Sequence, residues 1–113
     1  MPRLLLILLL PLTALAAEPP PDIAVGDWVF RAGTGRESAI IREIDHGEYS
    51  HIGIVTAVEP TVRITHATTD DDPAHPNQII ESDYAAYTAP AIADKTAVAR
   101  PAFLSADERR VIA

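Results

Sequence analysis

The sequence predicts an α+β domain in which short helices accompany an antiparallel sheet. Three observations carry that prediction. Residues 50–58 and 62–67 are two runs rich in β-branched side chains, and Glu59-Pro60-Thr61 between them holds a proline that cannot donate to a strand ladder, so the pair reads as a hairpin. Residues 37–44 instead place Ile40, Ile41 and Ile44 at helical spacing. Ser105-Ala106-Asp107-Glu108 has the spacing of a capping box, in which the serine hydroxyl and the glutamate carboxylate satisfy each other's backbone amides.

The elements follow in order. Residues 1–16 read as a signal peptide: Arg3 supplies a positive charge, residues 4–10 an unbroken apolar run, and Ala14-Leu15-Ala16 a cleavage site after Ala16, or one residue later. A spanning helix needs about 20 apolar residues, and this run is broken by Pro11. No stable membrane span is therefore expected once the signal is removed, and an exported protein, periplasmic or extracellular, is. Residues 17–22 contain Pro19, Pro20 and Pro21 and read as a Pro-rich tether. The domain proper begins at Ile23, with Trp28-Val29-Phe30 a strand entered through a turn at Gly26-Asp27.

Arg31-Ala32-Gly33-Thr34-Gly35 reads as a loop, with Thr34 or Gly35 near the cap of the helix over residues 37–44 and His46-Gly47 at its end. The hairpin follows. Residues 68–78, rich in Asp and Pro, form an exposed loop before a short element opening at Ile79-Ile80, and Tyr84 and Tyr87 are spaced to pack at one helical turn. Residues 97–100 read as a last strand stopped by Pro101. The helix begun by the capping box reaches Ala113 after barely two turns, which is marginal in isolation, so the natural domain is expected to continue beyond that residue.

Composition excludes several classes. Loss of Arg3 with the signal leaves 8 basic against 16 acidic residues, a net charge of −8, and no basic cluster to neutralise phosphates; nucleic acid is not an expected partner. The chain contains no cysteine, which removes disulfides and any thiolate of its own. The core must then suffice alone, and a chain of about 97 residues buries only some 60–65% of its unfolded surface.

The candidate chemistry lies on the hairpin. His51 stands at the mouth of one apolar strand and His66 near the end of the next. A four-residue loop, residues 58–61, sets Ala57 opposite Val62, carries His66 to face Gly53 and leaves it diagonal to His51 on the same face, about 7–8 Å away at Cα. A three-residue loop sends His66 to the other face. Under the first register Gly53, without a side chain, leaves room for His66 and a substrate. His46 and His75 lie in loop contexts. A zinc site built from the four histidines is the less favoured alternative, because no pair has the tight spacing of structural zinc and cysteine is absent.

Gly26-Asp27-Trp28-Val29-Phe30, then Ser50-His51-Ile52-Gly53-Ile54-Val55, then Ile64-Thr65-His66-Ala67 resembles the three-strand signature of the NlpC-type cell-wall peptidases. The intervening Gly-rich loop and short helix are more similar to the YiiX-like, circularly permuted branch. The resemblance runs from about Val25 onward and implies a partial permuted papain-like fold. It also implies a nucleophilic cysteine at a helix N-terminus, a histidine base matched by His51, and a polar orienting residue matched by His66, with Glu81 as the alternative. No cofactor is implied. The substrate would be a peptidoglycan peptide or a lipid acyl group.

The departure is the nucleophile. In the permuted order the cysteine follows the histidine strands, so this chain is expected to stop short of it and to be inactive alone. Ser38, Ser50, Ser82 and Ser105 each have a simpler place in a loop, strand start or cap. The alternative from another class is a non-catalytic domain that binds cell-wall peptides or lipids.

Overall fold

The computed structural model describes residues 18–68 and 72–113. The expected signal peptide, the first residue of the tether and the middle of the Asp-rich loop lie outside the described residues. At the end of the Pro-rich segment a turn closes from Pro20 to Ile23, and the Asp22 carbonyl accepts a hydrogen bond from Arg100.

Five strands of the described residues form one antiparallel sheet: β1 (Trp28–Gly33), β2 (His51–Ala57), β3 (Arg63–Ala67), β4 (Ile79–Asp83) and β5 (Ala93–Ala99), in the spatial order β4, β3, β2, β1, β5. Among the described residues three helices accompany it: α1 (Arg36–Asp45), α2 (Tyr84–Tyr87) and α3 (Ala106–Ile112). The α+β class and the antiparallel sheet are thus as the residue pattern predicts.

β1 is entered through a turn in which Gly26 takes φ 91° and the Asp27 amide bonds the Ala24 carbonyl. Only glycine adopts that conformation without strain. The Asp27 carboxylate accepts from the Ala24 amide and from two guanidinium nitrogens of Arg100 at 2.8 and 2.9 Å. Asp27 thereby ties the start of β1 to the end of β5.

Both outer expectations of strand length fall short. β1 continues three residues past Phe30 and β5 begins at Ala93 rather than Ala97, because Ala32 faces Lys95 and Gly33 faces Ala93 across a bulge. Pairing of a central strand overrides the weak strand preference of Ala, Gly, Asp and Lys.

β2 and β3 settle the register question in an unexpected way. Gly53 faces His66, Ile54 faces Thr65 and Val55 faces Ile64, as the four-residue loop requires. Beyond Val55 the register shifts, so that Ala57 faces Arg63 and not Val62. Thr56 is the extra residue of this bulge, and its hydroxyl lies 3.0 Å from that of Thr65. The bulge absorbs the turn's mismatch before it reaches the histidines.

The core occupies one face of the sheet, where Val29, Val55 and Ile64 pack under Tyr84 and Tyr87 of α2, with Ile23, Val58, Val62 and Val98 around them. Tyr87 donates its hydroxyl proton to the buried Val29 carbonyl at 2.8 Å. The other face carries Trp28, Phe30, Ile52 and Ile54, and α3 covers it only in part. Arg109 packs against Gly26, where an added Cβ would lie 2.7 Å from the Arg109 carbonyl oxygen. The capping box of α3 forms as predicted, with Glu108 N to Ser105 Oγ at 3.1 Å and Ser105 N to Glu108 Oε1 at 2.9 Å.

α1 departs from its sequence reading in two respects. Its isoleucines do not enter the core: Ile40 is 45% and Ile44 75% exposed. Its end is also one residue earlier than a glycine stop implies, since His46, at φ 56°, takes the left-handed conformation. The Gly47 amide bonds the Asp45 carboxylate instead.

Candidate active site

Strand pairing fixes the site. Val29, Gly53, His66 and Ile80 stand in one row across β1 to β4, and Arg31 and His51 in the next row on the same face. His51 Nε2 lies 2.9 Å from His66 Nδ1, and the two rings meet at 89°. Both expected residues are therefore brought together on one face.

Tyr87 forms the floor. Its ring centre is 4.9 Å from that of His66, edge to face, and 5.9 Å from that of His51. Gly53 makes this approach possible: a Cβ there would sit 3.3 Å from Tyr87 Cε2 and from His66 Cβ, and closer still to Ile64. The space expected for a substrate beside Gly53 is filled by Tyr87 and Ile64.

His66 is bonded at both nitrogens. Its Nε2 lies 2.9 Å from Ser82 Oγ, one residue along from the Glu81 offered as an alternative. Glu81 projects from the other face of β4, where it faces Thr65 and accepts from Arg63 at 2.9 Å, so it does not reach either histidine. Ser82 was legible as a serine near a strand and not as a partner of His66, because only the β3–β4 register, with Ile64 opposite Ser82, brings them together. Ser50 bonds the Gly33 amide, Ser105 caps α3, and Ser38 lies against Gly33.

A second side chain missed by sequence reasoning is Arg31, whose position was assigned to a loop. As part of β1 it lies on the histidine face, donates to the Tyr87 carbonyl at 3.1 Å and holds its guanidinium 4.5 Å from the Tyr87 ring centre. Its Nε is buried without a hydrogen-bond partner among the described residues. Burial lowers the guanidinium from its ordinary value, although arginine stays charged.

Burial, followed by the Arg31 and His66 charges, pushes His51 down to about 4. Burial and Arg31 lower His66 as well. At neutral pH the pair is uncharged, each ring carrying one N–H and one lone pair. Nδ1 of His51 has no hydrogen-bond partner among the described residues. A shallow cleft of about 320 Å³ lies at the start of β2, bounded by His51, Tyr49 and Ser50 and by Phe30 and Ile52, whose side chains are on the sheet face opposite the imidazole. An uncharged imidazole held at one nitrogen and free at the other can take a proton there.

The remaining histidines stand elsewhere: His46 ends α1, and His75 lies 3.5 Å from Asp72 in the exposed loop. Among the described residues no cluster of three or more His, Asp or Glu is arranged to hold a metal ion, and no helix is long and apolar enough to cross a membrane. An apolar groove of about 560 Å³ runs along the opposite sheet face, between Trp28, Ile52, Ile54 and Ile79 and the α3 region with Phe103 and Ile112. No known protein family, curated protein or solved structure matches this chain.

Proposed function

We propose that this domain is the histidine-bearing part of an exported cysteine amidohydrolase with a permuted papain-like fold of the NlpC, YiiX-like kind. The observation that carries the reading is the 2.9 Å contact of His51 Nε2 with His66 Nδ1, which leaves Nδ1 of His51 unengaged.

The residues fit the roles as follows. His51 takes the proton of a thiol at Nδ1, and the thiolate attacks the carbonyl of an amide or ester. His51 then gives that proton to the leaving group. The same nitrogen next takes a proton from a water whose oxygen attacks the thioester carbonyl, the C–S bond breaks to release the acyl part as a carboxylic acid, and the proton returns to the sulfur. His66 accepts from His51 Nε2–H throughout, holding the ring and stabilising the imidazolium as the acid of a triad does. Peptidoglycan peptides and lipid acyl groups are the substrate classes of this reading. The thiol comes from outside these residues, because they contain no cysteine.

The 113-residue chain is accordingly expected to be inactive, and the cysteine-bearing gene product to hydrolyse an activated amide or ester, with a loss of about 10²–10⁴-fold on His51→Ala. Turnover by the 113-residue chain that disappears on His51→Ala would overturn the assignment.

The apolar groove favours a second reading, a non-catalytic domain for cell-wall peptides or lipids. Saturable binding of such a ligand by the chain, unchanged in His51→Ala, together with an inactive gene product, is the result that separates it from the first.

A further inference from the structure

We propose that Ser82 is a positioning residue that holds His66 in the tautomer needed to keep the lone pair of His51 at Nδ1; its catalytic meaning rests on the amidohydrolase reading. A neutral imidazole offers one donor and one acceptor. His66 is engaged at both nitrogens, by His51 at Nδ1 and Ser82 at Nε2, so the protons of the three side chains run in a single direction through the chain of bonds.

Only two directions exist. In one, His51 Nε2–H donates to His66 Nδ1, His66 Nε2–H donates to Ser82 Oγ, and His51 Nδ1 is a base. In the other, Ser82 donates to His66, His66 donates to His51, and Nδ1 of His51 carries a hydrogen. Protonation decides between them. Once His51 has taken a proton both its nitrogens are donors, so His66 must accept at Nδ1 and donate at Nε2.

Ser82 Oγ, 2.9 Å from His66 Nε2, is the side-chain acceptor for this donation. His66 is only 7% exposed, and an unmatched N–H there carries the penalty of a buried unsatisfied donor. The reverse direction would suit Ser82 as a nucleophile, but Ser82 lines neither the His51 cleft nor the apolar groove. A hydroxyl held away from both clefts by a buried ring serves to orient.

The test needs no activity. Two-bond ¹⁵N–¹H spectra of the labelled 113-residue chain at neutral pH report which ring nitrogen of each histidine carries hydrogen. The expected result is hydrogen at Nε2 of both His51 and His66. Ser82→Thr, which keeps a hydroxyl, should preserve it. Ser82→Ala should populate the Nδ1–H form of His66 while the backbone amide spectrum stays folded. Hydrogen at Nδ1 of both rings in the native chain, or tautomers unchanged by Ser82→Ala, would overturn the proposal. A Ser82→Ala chain that does not fold leaves the native and Ser82→Thr spectra to decide. An inactive gene product would remove the amidohydrolase reading without altering the tautomer result.

Discussion

His66 Nδ1 lies 2.9 Å from Nε2 of His51 because Gly53 faces His66 across β2 and β3 and the bulge at Thr56 takes up the register shift before it reaches them. The pair sits beside Arg31 and over Tyr87, so it is a set of uncharged rings next to a half-buried cation. Three of its consequences can be measured, and the Asp27–Arg100 pair at the other end of β1 provides a fourth test.

Stability should fall with acid between pH 6.5 and 4. His51 is held at about 4 in the folded chain against 6.5 for a free histidine, so in that window the unfolded chain binds a proton that the folded one does not. The contribution is fully present above pH 6.5 and is lost progressively down to pH 4, by roughly 2–3 kcal/mol less solvent screening at this half-buried ring. His66 adds in the same direction. Urea denaturation across that range checks it, and His51→Gln should flatten the slope; a flat profile for the native chain would contradict the buried site.

Gly53→Ala should destabilise by about 1–3 kcal/mol through overpacking. The added methyl meets Ile64, His66 and Tyr87, so its cost should appear together with altered His66 ring signals. Urea midpoints and imidazole spectra measure the two effects. A substitution without cost would mean that Tyr87 does not floor the pair.

Tyr87→Phe should cost on the order of 1 kcal/mol, the value of one hydrogen bond whose acceptor is left buried. The hydroxyl donates to the Val29 carbonyl, and burial raises the phenol above its ordinary value, so it remains a donor at neutral pH. Thermal melts of the two chains make the comparison.

Asp27→Asn should cost about 1–3 kcal/mol by weakening the two-point pairing with Arg100. Burial raises the Asp27 carboxyl, but the Arg100 bonds, the Ala24 amide and the charges of Arg100 and Arg109 outweigh it and leave it below 3.8. Its stabilisation is therefore present above pH 3.8 and lost as the pH falls through the lower folded value. Denaturation below pH 4 distinguishes this acid loss from that of the histidines, and equal midpoints for Asn and Asp there are expected.

The residue pattern made the hairpin, the α3 capping box and the meeting of His51 with His66 legible, because each depends on contacts close in sequence or on a two-residue period. Other features depended on distant pairing. Arg31 and Ser82 reach the histidines only through the positions of β1 and β4 in the sheet, and a period-2 pattern does not say which strands are neighbours. The isoleucines of α1 show the converse: helical spacing is correct there, yet Ile44 is 75% exposed, since spacing defines a face and not what covers it.

The acyl-transfer account is tested most directly by intact-mass and peptide sequencing of the mature gene product isolated from cells. The account predicts a product that extends outside residues 1–113 and carries a cysteine at the start of a helix, reactive toward an alkylating agent in a manner that depends on His51. A mature product confined to these residues, and so without any cysteine, would contradict it.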